Sequence, residues 1–154
     1  MERNRARSNA QRPACERQRS RWRSVPRAEL AIGGGAILGV LARWLISAAV
    51  QQRTLWHAPL ATLLINLSGC LLLGVCQALF AELSAVRREL QLFVTVGLLG
   101  GFTTFSTFSV ETVQLIQAGR LGAALLYQAL SLIGGLGAAL LGQWLARAAW
   151  RRRE

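Results

Sequence analysis

Gly100-Gly101-Phe102-Thr103-Thr104-Phe105-Ser106-Thr107-Phe108 interrupts an apolar run that would otherwise read as a plain membrane helix. A double glycine followed by four hydroxyl residues interleaved with phenylalanine is a poor helical sequence. Glycine costs about 1 kcal/mol per helical position relative to alanine, and β-branched threonine adds no support. Irregular backbone at membrane depth persists only where protein or a water-lined cavity satisfies its polar groups. The stretch therefore predicts a broken helix lining a polar pathway, the place where an ion or substrate is held.

Working outward, the flanking sequence is of membrane type. The chain is 53% apolar over 154 residues, and the apolar residues run on instead of alternating with polar ones. Four segments reach the ~20 residues that span a bilayer: Leu30–Val50, Pro59–Phe80, Gln91–Val113 and Leu121–Ala149. Short polar connections join them, with no space for a soluble domain. The expected fold is an all-α integral membrane protein of four transmembrane helices with a break in the third. Its channel domain is residues 30–150, followed by a basic tail at 151–154.

Residues 1–29 form a separate arm. Every basic residue of the chain is arginine, and nine of the eighteen lie before residue 30. With few apolar residues, the arm has too little surface to bury and is expected to be disordered. Such a segment suits anionic lipid headgroups or nucleic acid; a topogenic tail is the plainer reading, and no nucleic-acid partner is expected. The apolar run behind it is span-length and lacks a small-residue cleavage site, unlike a signal peptide. Counting arginines by side, the termini and second loop carry fifteen, against Arg53 and Arg120 opposite. The positive-inside rule then predicts both termini in the cytoplasm.

Within the spans, Thr62, Asn66 and Gly69 recur at helical spacing and share a face. A deep asparagine either makes an interhelical hydrogen bond, worth roughly 0.6 kcal/mol on average, or lines a polar path. In span three, Phe105 and Phe108 are i, i+3 neighbours, and Thr104, Thr107 and Glu111 form an adjacent stripe. Glu111 is the one acid well inside a span, a functional candidate by default unless it is interfacial. Tyr127 and Ser131 stand one turn apart in span four, ahead of Gly134, Gly135, Ala138 and Gly142, whose small size allows close helix contact. Arg43 lies about 10 Å from the end of span one, so it is either a snorkelling anchor beside Trp44 or functional. Cys70 and Cys76 point to different sides of their helix and cannot bridge. Neither they nor the lone His57 forms a zinc-type cluster. Only one broken span is present, so its symmetry mate would come from a second chain.

The strings Gly33-Gly34-Gly35-Ala36 with Arg43, Asn66-Leu67-Ser68-Gly69 with Gly74, and Gly97 through Phe108 resemble the Fluc/CrcB fluoride channels. The resemblance covers residues 30 to about 150. It implies an antiparallel dimer in the bacterial inner (plasma) membrane, passing fluoride along two pathways at the subunit interface. A central structural Na⁺ would be held by backbone carbonyls of Gly100 and Thr103. By position, Asn66 is implied to be the pore asparagine, Phe105 and Phe108 the aromatic box, and Tyr127 and Ser131 a polar track. Thr104 and Thr107 would add hydroxyl donors along the path, with Thr62 and Glu111 near it. Trp44 and Cys70 depart from the residues usual in the family. The arm, nine arginines against Glu2, Glu16 and Glu29, biases insertion to one orientation. The partner would thus be a second copy in the opposite orientation or an opposite-topology homologue.

Two other classes fit less well. A small multidrug-resistance-type transporter needs an acid central in span one, where this chain has Arg43. A non-transporting accessory protein leaves the hydroxyl-rich third span without a purpose. An enzyme is not expected: no Ser/His/Asp set, paired carboxylates or phosphate loop can be assembled.

Overall fold

The structure, a computed structural model, describes residues 25–53, 59–83 and 86–152. The order is α1 (Val25–Arg53), α2 (Leu60–Glu82), α3 (Arg88–Leu92), a π-helical stretch (Phe93–Leu99), α4 (Gly100–Phe102), α5 (Phe105–Gln117) and α6 (Leu121–Arg151). The described residues are all helical apart from their connections. Four segments are long and apolar enough to cross a membrane: Arg27–Val50, Leu60–Glu82, Arg88–Gln117 and Leu121–Arg151. Most of the arm and His57 lie outside the described residues, as does the end of the basic tail.

Two helix pairs make up the bundle, and glycine decides both. In lipid there is no hydrophobic gain from pairing helices, so close backbone approach and hydrogen bonds carry it. In the first pair, α1 lies along the π-helical stretch and α4. A Cβ on Gly101 would sit 2.8 Å from Ala36 O, and one on Gly97 would sit 2.6 Å from Ile32 O. From the other side, Gly35 meets the Phe93 carbonyl and Gly39 the Leu98 carbonyl just as closely. The second pair is α2 against α6, where Gly74 abuts Ala139 and Gly142 abuts Leu71. The outward faces carry large apolar side chains such as Leu38, Leu72, Ile133 and Leu140, which suits lipid.

The helices extend beyond the apolar windows read from sequence. The first begins at Val25, inside the segment assigned to the arm, and the fourth continues to Arg151. Helical hydrogen bonding does not stop where hydropathy falls, because interfacial polar side chains leave the backbone ladder intact.

The third span changes character along its length. The wider turns of Phe93–Leu99 include Thr95, whose hydroxyl donates to Gln91 O at 2.7 Å. After Phe102, Thr103 (φ −78°, ψ 159°) and Thr104 (φ −148°, ψ 122°) adopt extended dihedrals, and α5 starts at Phe105. Thr104 is thus the cap of α5 and not part of a helical stripe with Thr107 and Glu111. Its hydroxyl accepts from the Thr107 N–H at 3.2 Å, satisfying a donor the helix start leaves over.

Candidate functional site

Asn66, in the middle of α2, meets the extended residues of the third span. Its Nδ2 donates to Thr104 O at 3.0 Å, and its Oδ1 accepts from the Thr104 N–H at 2.8 Å. The amide mimics a strand partner for one residue. It satisfies both backbone groups of Thr104 where the helical ladder cannot. Gly69, one turn further along α2, makes this approach possible: a Cβ there would collide with Thr103 Cγ2 and come within 3.3 Å of the Phe102 ring. Thr62, Asn66 and Gly69 therefore face one target, as their spacing predicts. The interhelical bond and a cavity-lining position both hold for Asn66.

A second polar set lies toward the other end of α5. Thr62 donates to Glu111 Oε1 at 2.9 Å and Tyr127 donates to Glu111 Oε2 at 2.7 Å. Both carboxyl oxygens of Glu111 are thus engaged by hydroxyl groups. Three helices are tied together here, since Thr62 is on α2, Glu111 on α5 and Tyr127 on α6. Thr62 and Tyr127 are buried and Glu111 is half-buried, so the acid is integrated into the bundle. The Tyr127 ring packs on Phe108 with centroids 5.1 Å apart at 56°, and Phe108 on Phe105 at 5.7 Å and 43°. Both are tilted arrangements that bring ring edges to neighbouring groups.

Two cavities flank Thr104. The first, about 270 Å³, is lined by Asn66, Thr103, Thr104, Phe105, Phe108 and Ser131, with Gly100, Thr95 and Cys70 also on its walls. The Ser131 Oγ is enclosed and has no hydrogen-bond partner among the described residues. A buried hydroxyl without a partner is rare and suits a water or ion that completes it. The second cavity, about 280 Å³, is lined by Arg43, Trp44, Ser47, Thr62, Thr104 and Thr107. Thr104 is the residue common to both. Its Oγ1 donates to Thr107 Oγ1 at 3.0 Å and lies 3.3 Å from Ser106 Oγ, which makes a cluster of hydroxyls on the wall between them.

Each residue that the sequence offers for the pathway or the cation is found in one of these groups. Asn66, Thr104, Phe105, Phe108 and Ser131 share the first cavity, with Gly100 and Thr103. Thr62, Glu111 and Tyr127 form the carboxylate set, and Thr107 faces the second cavity. Tyr127 and Ser131 front different spaces, however: Tyr127 lines a third, largely apolar cavity of about 180 Å³ with Arg120 and Leu63. One turn along α6 keeps their directions similar, but their neighbours differ. Sequence reasoning passed over Ser47, Thr95 and the buried Thr112, whose hydroxyl donates to Phe108 O at 2.8 Å. Single hydroxyls in apolar helices give no signal of their own, because back-bonding to the i−4 carbonyl accounts for them.

For a cation, the available ligands are backbone oxygens. Among the described residues no three His, Cys, Asp or Glu side chains come together. Around Thr103 and Thr104 the carbonyls of Gly100 and Thr103 lack their usual helical donors, since the Thr104 and Thr107 N–H groups bond to side-chain oxygens. Carbonyl oxygen fits a hard cation.

A family model described as CrcB-like protein, Camphor Resistance (CrcB), matches residues 30–143. A protein of Ruminiclostridium cellulolyticum named Fluoride-specific ion channel FluC is 41% identical over 118 residues, or 77% of this chain and 91% of the relative. Its namesake in Pseudomonas fluorescens is 41% identical over 107 residues, 70% of this chain and 86% of the relative. Fluoride-specific ion channel FluC 1 of Bacillus anthracis is 42% identical over 107 residues, 68% and 77% of the two chains. The match spans all four membrane helices and both cavities, and it begins after the arginine-rich arm. The chain belongs to the CrcB family.

Proposed function

We propose that this protein is a passive fluoride-selective channel that lowers cytoplasmic fluoride from a bacterial inner membrane. It is a channel and not an enzyme, in keeping with relatives named as fluoride-specific ion channels. The observation that carries the reading is the first cavity, where Asn66, the partnerless Ser131 hydroxyl and the Phe105 and Phe108 rings surround one space.

Fluoride is small, hard and strongly hydrated, so a pathway must replace water with other donors. One Nδ2–H of Asn66 goes to Thr104 O, which leaves the second for an anion. Ser131 offers an unused O–H, and on the wall between the cavities, where the Thr104 O–H is taken by Thr107 Oγ1, Thr107 supplies the hydroxyl donor. Phenyl edges carry the positive end of the ring quadrupole. Phe105 and Phe108 can therefore contact an anion edge-on without forming a trap. Among the described residues no arginine lines this first cavity. Conduction needs sites that bind well enough to admit the ion and weakly enough to release it. Arg43 lines the second cavity, where it raises the local anion concentration. From there the path runs past Thr104 to Asn66 and the rings, with the Thr62–Glu111–Tyr127 set alongside.

The working unit in this reading is an antiparallel dimer with two pathways, of two copies or of this chain with an opposite-topology homologue. Phe105 is 76% exposed in the single chain, next to exposed Ser106 and Thr107. Polar groups at membrane depth need cover, and a second chain supplies it. A central Na⁺ held by Gly100 and Thr103 carbonyls would fix the third spans and add positive potential there. Expression of this chain should restore growth in fluoride medium to a bacterium lacking its own fluoride exporter. Unchanged sensitivity, with the protein present in the membrane, would reject the reading.

A further inference from the structure

We infer that Asn66 and Thr104 are positioning residues for a backbone cation site, because their side chains hold off the two N–H groups that would otherwise cap the Gly100 and Thr103 carbonyls. The inference rests on the cation reading given above. In an α-helix the N–H of residue i bonds to the carbonyl of i−4. Continued helix would therefore send the Thr104 N–H to Gly100 O and the Thr107 N–H to Thr103 O. Neither bond forms. The Thr104 N–H lies 2.8 Å from Asn66 Oδ1, and the Thr107 N–H lies 3.2 Å from Thr104 Oγ1. Each diversion uses a different side chain and removes the donor of a different carbonyl.

The Asn66 amide makes the first diversion stable. While Oδ1 accepts the Thr104 N–H, Nδ2 donates to Thr104 O at 3.0 Å, so a rotation that released one bond would break both. Thr104 is itself buried, and its extended dihedrals keep its N–H turned toward α2. The arrangement links two features of the first cavity, since the amide that faces an anion also frees an oxygen for a cation. Helix capping alone predicts none of this coupling: a cap stabilises α5 and leaves affinity for a monovalent cation unchanged.

The test is a Na⁺ titration of thermal unfolding on the purified full chain, with N-methylglucamine keeping ionic strength constant and K⁺ as a control. Wild type should be stabilised by Na⁺ with a saturable midpoint. Asn66→Leu and Thr104→Val remove the acceptors at nearly constant volume and should raise the midpoint at least ~10-fold, the equilibrium equivalent of about one hydrogen bond. Thr104→Ser keeps the hydroxyl and should titrate like wild type. Equal midpoints for Thr104→Val and wild type would overturn the inference, as would loss of the response in Thr104→Ser. If Asn66→Leu fails to fold, the Val/Ser pair at position 104 decides alone. A wild type indifferent to Na⁺ removes the cation reading and this inference together, and fluoride efflux from the same preparation then shows whether the channel reading stands.

Discussion

The Asn66 amide pairs with both backbone groups of Thr104, leaving one Nδ2–H for the cavity that it lines. Asn66→Asp replaces that donor with a charged acceptor and sets a carboxylate oxygen against Thr104 O. Fluoride flux through this variant should be abolished; flux at the wild-type rate would remove Asn66 from the pathway. Phe108 is the buried member of the aromatic set, between Phe105 and Tyr127. Phe108→Ile keeps an apolar side chain but loses the ring edge, so fluoride flux should fall at least ~10-fold, about 1.4 kcal/mol of barrier, with the helical content retained. An unaffected rate would sink the edge-on role. Much at this level was legible in sequence: Thr62, Asn66 and Gly69 fall on one face by counting alone. The identity of their target was not. Asn66 bonds to a residue 38 positions away, through main-chain atoms that carry no side-chain signature.

Glycine spacing shows that helices pack closely but not which helix packs on which. Gly35 and Gly39 of the first helix pack on the first half of the third span and not on the adjacent second helix. The choice is made by Gly97 and Gly101, which present bare backbone at the matching height. Gly39→Leu should therefore be severe, since its Cβ meets Leu98 O and leaves 2.8 Å to Phe102 N. Overpacking of this kind costs about 1–3 kcal/mol, and the clash is with backbone that cannot rotate aside. A lowered unfolding temperature in detergent is the expected readout. Gly33→Leu, at a position with open space around it, is the control that should unfold as wild type does. The existence of four spans was plain from apolar length. Their ends were not, because the ladder continues through polar interface residues at both termini.

For the molecule as a whole, the arginine arm stands apart from the family match, which starts at residue 30. Deletion of residues 2–24 should leave the rate of fluoride transport per reconstituted protein unchanged. A lost activity would show that the arm acts in transport. The arm also bears on assembly, since its charge favours one orientation while an antiparallel dimer requires two. The most direct measurement is fluoride efflux from liposomes reconstituted with this one purified chain, followed with a fluoride electrode and paired with chloride efflux. Rapid fluoride efflux with no chloride efflux is the predicted result, and it would show that one kind of chain suffices. Chloride efflux as fast as fluoride, or no fluoride efflux even after co-reconstitution with an oppositely oriented homologue, would contradict the account.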